Sequence, residues 1–321
     1  MNATQLYDHL WDFARHRVIT VAARSGMLGL LAGRAATAGE MAAELGLDLL
    51  ACGKLTRALC ALGLVEARGE SYRLSADLCE LFTPGDGDLT PFIEHTHRMY
   101  ESWGLGLDDW LRSGKHVRGR RSEEQLALFG RAMKAASGLI AARVVSALDG
   151  LAGVERVLDI GGGVGGYSAV FCRVRPSLQA TVLDVPEVAE LGRREIAGTK
   201  LEDQITFQDG DYHEADFGSG YDMVLLANVL HIEKTEAAAD LVRRAAGALV
   251  AGGRLCVVDF EIDERKQERV LGALFAINMR SFGDTHTEPT IRSWLEQAGI
   301  EELKVEELPP AHWLIWGRLK Q

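Results

Sequence analysis

Two hydrophobic rhythms divide the chain. Up to about residue 150 apolar side chains recur every three or four positions, the period of helices packed on one side. Residues 4 to 23 bring Leu6, Leu10, Phe13, Val18 and Val21 close to one helix face. The stretch "TAGEMAAELGLDLLACGKLTRALCALGLVEARGESYRLSA" predicts a short helix from about Ala38, a turn at Gly46 and a second helix from about Leu50. Two short strands follow, meeting around "ARGES". Helix, turn, helix and hairpin make a winged helix-turn-helix. Residues 91 to 148 are helical again and carry many aromatic and polar groups.

From residue 155 the rhythm changes. "ERVLDI", "QATVLDV", "QITFQDGD", "YDMVLLANVL" and "GRLCVVDFEID" are short apolar runs, most of them separated by helical stretches. Such alternation predicts an α/β domain with a parallel sheet and crossover helices. "EELKVEEL" and "AHWLIWGRLK" have only Pro309 and Pro310 near their junction, which predicts an antiparallel pair at one edge. The boundary between the two textures falls near Leu151.

Composition narrows the class. Hydrophobic residues make up 47% of 321, enough for a substantial core. A formal net charge of −11 is poorly suited to general nucleic-acid binding. The second helix of the winged unit offers only Lys54 and Arg57 as cations, too few for a groove-reading helix, so a structural role is expected there. Five cysteines without a C-x-x-C pair argue against a disulfide framework and a zinc knuckle, and fit a reducing cytoplasm. The N-terminus lacks the features of a signal peptide. The apolar run from Val18 to Ala32 is interrupted by Arg24 and is too short to span a bilayer.

The candidate chemistry lies in "VLDIGGGVGGYSAV". A buried strand over Val157 to Ile160 runs into a glycine turn and then a helix starting near Gly165. Glycines let a ligand approach the main chain, and the helix start supplies free N–H groups. Gly161, Gly163 and Gly166 satisfy the dinucleotide fingerprint, and Asp184 ends the second strand where a ribose-binding acid belongs. Asp159, inside the turn on this reading, would face a pyrophosphate unfavourably but suits a cationic sulfonium ligand. "DGD" at 209 to 211 adds acids after the third strand. Acids at three successive strand ends, with the closing hairpin, favour S-adenosylmethionine (SAM) over NAD.

With these motifs the chain resembles the SAM-dependent O-methyltransferases of the plant caffeate, acetylserotonin and bacterial antibiotic-tailoring type, along nearly its whole length. "VLDIGGGVGG" resembles their SAM loop, "LDVPEV" their second-strand motif, "QDGDYHEADF" their adenine-side motif, "ANVLH" their catalytic-histidine segment and "GDTHTEPTIRSWLEQAGI" their last motif. The resemblance implies a Rossmann-like class I methyltransferase domain at 151–321, a winged-helix dimerisation domain at 1–90, and a helical connector with substrate-pocket helices at 91–150. It implies a homodimer that binds neither nucleic acid nor membrane, a role in secondary metabolism, and no metal. It places Asp159, Gly161, Gly163, Asp184, Asp211, Tyr212 and Asn228 at the cofactor. It makes His231 the general base and Asp259 its acidic partner.

The chain departs from the plant pattern after the histidine, where Ile232 and Glu233 replace Asp-Trp, and at Thr285, which stands where a second acid is usual, with Asp284 beside it. Pocket walls are expected from Trp103, Phe129, Met133, Phe275, Asn278, Met279 and Phe282, a lining suited to a flat apolar acceptor. The primary expectation is methyl transfer to a hydroxyl of a small aromatic or apolar metabolite. The alternatives are C-, S- or N-methylation, a SAM-binding relative with other chemistry, and a SAM-sensing regulator.

Overall fold

The computed structural model describes the chain apart from residues 1, 115–121, 261, 263–269, 280–282, 284 and 310, and the side chain of residue 105. The chain forms two compact units, Met1–Leu105 and Gly106–Gln321.

The first unit begins with α1 (Ala3–His9), α2 (Asp12–Arg24) and α3 (Met27–Gly33). The single helix expected over residues 4 to 23 is broken at Leu10 and Trp11. Arg15 bridges the break through ion pairs to Asp8 and Asp12. None of α1 is buried, so no core contact forces it into register with α2. Strand β1 (Ala36–Thr37), which the sequence did not suggest, precedes α4 (Ala38–Leu45), α5 (Leu49–Ala61), β2 (Val65–Arg68) and β3 (Ser71–Leu74), which follow as expected, with Gly46 ending α4 at φ +65°. Thr37 and Glu40 cap α4 reciprocally. The strands pair antiparallel in the order β1-β3-β2. Met27, Leu28, Leu31, Met41, Leu59 and Leu74 form the centre of this unit's core. Helix α6 spans Thr90–Ser113.

The second unit contains α7 (Glu123–Ala147), β4 (Arg156–Ile160), α8 (Gly166–Val174), β5 (Gln179–Asp184), α9 (Pro186–Ile196), β6 (Ile205–Asp209), β7 (Tyr221–Ala227), α10 (Thr235–Gly247), β8 (Leu249–Phe260), α11 (Leu271–Met279), α12 (Glu288–Gln297), β9 (Ile300–Leu308) and β10 (His312–Leu319). The sheet order is β6-β5-β4-β7-β8-β10-β9. The first five of these strands are parallel, and β10 runs antiparallel to both β8 and β9. The central strands are buried on both faces, which explains their near-continuous apolar runs. Val157, Met223, Leu225 and Val258 enter one core, and Leu158, Ile160, Val224, Leu226 and Val257 enter the other. Edge strand β9 carries Glu301, Glu302, Glu306 and Glu307, charges that discourage pairing with another chain.

Close helix packing fixes the first half of the sheet. A methyl group on Gly192 of α9 would fall 2.2 Å from the Phe207 ring, and one on Gly166 of α8 would fall 2.9 Å from Ser137 of α7. The strand order reverses at β4, between β5 and β7. Open α/β sheets bind ligands outside the carboxyl ends of the strands at such a point.

Candidate active site

The glycine turn leaves β4 with Gly161, Gly163 and Gly165 at φ +66°, +62° and +80°, conformations closed to most side chains. A methyl on Gly161 would also fall 2.7 Å from Val229, and one on Gly162 only 2.5 Å from the Asp159 carboxyl carbon. The bare backbone therefore has local causes on both sides. Asp159 is not inside the turn, as the sequence suggested, but within β4 and fully buried beneath it. Its Oδ2 accepts a hydrogen bond from Ser168 Oγ at 2.8 Å, while Oδ1 has no partner. Burial, aided by the charge of Asp184 and opposed by the Ser168 bond, pushes the carboxyl up to about 7.

A buried acid raised in this way favours folding while protonated. That contribution is complete below the unfolded value near 4 and is lost as pH rises through about 7. Asp159→Asn is therefore expected to raise the ligand-free melting temperature at pH 8 and to give a smaller gain at pH 5. Thermal unfolding across that range checks it, and a gain independent of pH would contradict it.

Asp184 closes β5. Its Oδ2 accepts from the Gly163 N–H at 2.8 Å and its Oδ1 from the Val185 N–H at 2.8 Å, so the acid of one strand end holds the glycine turn of the next. Two acceptor positions remain for a ligand's hydroxyls. Burial raises the Asp184 carboxyl, and these two N–H groups pull it back. Beyond β6, Asp211 is exposed and accepts from the His213 N–H at 2.9 Å. The Tyr212 hydroxyl donates to Glu233 at 2.5 Å, and Arg244 holds the carbonyls of Tyr212, His213 and Ala215. Glu233, which follows the candidate histidine, thus ties the third strand's loop to the fourth's.

His231 lies in a 3-10 turn, Leu230–Ile232, just after β7, and is buried. Its Nδ1 is 2.6 Å from Asp259 Oδ1, and its backbone N–H donates to Asp259 Oδ2 at 3.1 Å. Asp259 is not past the end of its strand, as expected, but inside β8, where pairing with Trp313 of β10 fixes it. Burial alone would raise its carboxyl. His231 and the N–H groups of His231 and Phe260 outweigh that and hold it below the usual range, as an anion. An anionic partner at Nδ1 keeps the proton there, leaving Nε2 as the basic nitrogen. Among the described residues Nε2 takes no hydrogen bond. The rings of Phe260 and Phe275 stand edge-on to the imidazole at 5.4 and 4.9 Å and stack on each other at 3.8 Å.

The other expected residues divide. Phe275 joins the histidine; Asn278 and Met279 share its helix α11, and Met279 is buried. Phe129 and Met133 are half-buried on α7, whose Gly130 meets Val164 of the glycine turn. Trp103 belongs to the first unit, on α6. Phe282 and Asp284 lie outside the described residues. Thr285 is buried near the end of the same segment. Asn228 follows β7 in a left-handed conformation, φ +57°, and its Oδ1 meets Nε2 of His312 at 3.1 Å. Phe260, His312 and Glu233 were not singled out as site residues from sequence. Among the described residues no cluster of three metal-ligating side chains occurs, and no helix is long and apolar enough to cross a membrane.

The turn and its acids fit a SAM molecule: left-handed glycines that leave the main chain bare, an orphaned buried carboxyl oxygen and a strand-end carboxylate with free acceptor positions. The fold and these groups are those of a class I SAM-dependent methyltransferase. The O-methyltransferase domain family matches residues 100–301, more than half the chain, and the chain belongs to that family of SAM-dependent enzymes. It is 29% identical over 321 aligned positions to 3-hydroxy-5-methyl-1-naphthoate 3-O-methyltransferase of Streptomyces sahachiroi, covering 94% of this chain and 89% of that one. It is 28% identical to L-tyrosine C(3)-methyltransferase of Streptomyces lavendulae, covering 87% and 81%. The structure of human N-acetylserotonin methyltransferase in complex with SAM superposes with a TM-score of 0.85 at 23% identity, covering all of both chains. The family, the cofactor class and the mainly helical N-terminal region ahead of a mostly parallel sheet agree with the sequence reading.

Proposed function

We propose that this enzyme methylates a hydroxyl on a flat aromatic metabolite, with His231 as general base and Asp259 orienting it. The observation that carries the reading is the 2.6 Å contact of His231 Nδ1 with a buried, anionic Asp259, which leaves Nε2 basic beside Phe260 and Phe275. SAM supplies an activated methyl group on its sulfonium. The chain's part is to hold the acceptor oxygen in line and to take its proton; a phenol of pKa near 10 needs that help at neutral pH. Asp259 stabilises the imidazolium that forms.

Asp159, Gly161, Gly163, Asp184, Asp211, Tyr212 and Asn228 form the cofactor site on this reading. Phe129, Met133, Phe275, Asn278 and Met279, all of the second unit, are the candidates for the acceptor walls on this reading. Naphthoate and tyrosine in the relatives' names are both aromatic, which supports the acceptor class and a place in secondary metabolism. Transfer of labelled methyl from SAM to a panel of hydroxylated naphthoates and benzoates tests it. The expected product is a methyl ether; a C-methylated ring would overturn the choice of oxygen.

Residues 1–90 are read as a winged-helix dimerisation domain, with 91–150 as connector and 151–321 as catalytic domain. Leu6, Tyr7, Leu10, Trp11 and Phe13 are each more than half exposed, apolar surface that a second copy would cover. Lys54 and Arg57 are exposed on α5 beside exposed Leu49 and Leu50, a poor DNA-reading face. Sedimentation is expected to give a dimer, converted to monomer by Leu10→Glu with Phe13→Glu. A wild-type monomer would contradict this. All five cysteines are free, which fits a cytoplasmic enzyme.

A further inference from the structure

At the head of β10, His312 reaches the loop carrying His231. The pairing of β10 with β8 sets His312 opposite Phe260, and the two rings lie 4.5 Å apart. From there its Nε2 meets Asn228 Oδ1 at 3.1 Å. An amide oxygen accepts, so Nε2 carries the proton and Nδ1 is the lone pair. That Nδ1 is shut off from solvent without a partner. Burial and the nearby His231 push the His312 ring down to about 4, so it stays neutral and keeps this donor at working pH, although Asp259 pulls the other way.

Asparagine tolerates φ +57° better than most side chains, and its surroundings select that conformation here. The Asn228 N–H is bonded to the Val258 carbonyl at 2.7 Å, and its side chain to His312. This left-handed step turns the chain out of β7. It puts Val229 against Gly161 of the glycine turn and delivers His231 to Asp259 two residues later.

We propose that His312 is a positioning residue for methyl transfer: its Nε2–H and its contact with Phe260 lock the Asn228 turn, and so set the distance and angle of His231 to the acceptor. The assignment rests on the reading of His231 as the base. A neutral donor is required because a cation here would compete with His231 for the charge of Asp259. The ring also backs Phe260, which flanks the base, a smaller part of the role than the donor. Gln keeps a donor able to reach Asn228; Phe keeps the ring and loses the donor.

The test is a cycle of four proteins: wild type, His312→Phe, His231→Ala and the double variant, each assayed for labelled-methyl transfer at saturating SAM and acceptor. His312→Phe is expected to lower kcat about tenfold in the wild-type background and by less than twofold once His231 is gone. SAM affinity should stay within about threefold, which shows that the fold is kept. His312→Gln is expected to recover most of the loss, and His312→Leu, which also lacks the donor, replaces the Phe variant in the cycle if that protein does not fold. A wild-type kcat in His312→Phe, or the same tenfold loss in both backgrounds, would overturn the positioning role. A His231→Ala protein of full activity would instead refute the base assignment, an outcome read from a different arm.

Discussion

Replacing His231 by alanine is expected to lower kcat by about 10²–10⁴-fold at neutral pH, the range supplied by a positioned base. SAM affinity should change little. The structure allows this separation. Asp259 loses the imidazole but keeps the backbone N–H groups of His231 and Phe260, so the buried carboxylate is not abandoned. The glycine turn is held from elsewhere, by Asp184 and Val229. Steady-state kinetics with labelled SAM, paired with calorimetric titration of the cofactor, check both halves. A loss confined to KM for SAM would assign the residue to binding and contradict its role as base.

Asp184→Ala is the complementary case. Its carboxylate organises the glycine turn through the Gly163 N–H and has acceptor positions left for ribose hydroxyls. Losing hydrogen bonds to a charged acceptor costs about 1.5–3 kcal/mol each, so SAM binding should weaken by roughly a hundredfold or more. Titration calorimetry reads it directly. Asp211→Ala should cost much less, because Asp211 is exposed and water replaces part of what it offers. Equal losses at the two positions would mean that the cofactor does not lie along the ends of β4 and β5 as proposed.

What could be read from the sequence was what local chemistry dictates. The β4 run, the glycine turn, the Gly46 stop and the "ARGES" hairpin all follow from period and φ preference within a few residues. That His231 and Asp259 would come together was legible because each stands near the end of an apolar strand of one parallel sheet. The misses depend on contacts across the chain. The break between α1 and α2 has no breaker residue; it arises because α1 meets no core. Asp159 looked like a turn residue because acids are common in turns, yet pairing with β5 and β7 on either side keeps it in the strand. Phe260 and His312 are brought together only by the register of β10 on β8, across 52 residues of chain, and no local pattern encodes that pairing. Glu233 could have been weighed more heavily: an acid two residues after the candidate base, in place of the family's usual pair, signalled a local rearrangement. The structure shows it bound to Tyr212.

The central claim is that His231 removes the acceptor's proton as the methyl group moves. It is tested most directly by comparing wild type and His231→Ala on an accepted phenol and its ring-halogenated analogues, whose hydroxyls ionise at progressively lower pH. If His231 is the base, the variant's deficit is large for the parent phenol and shrinks steadily as the acceptor's pKa falls below the assay pH, because an acceptor already ionised needs no base. A deficit of the same size for every acceptor would show that His231 holds the acceptor rather than deprotonating it.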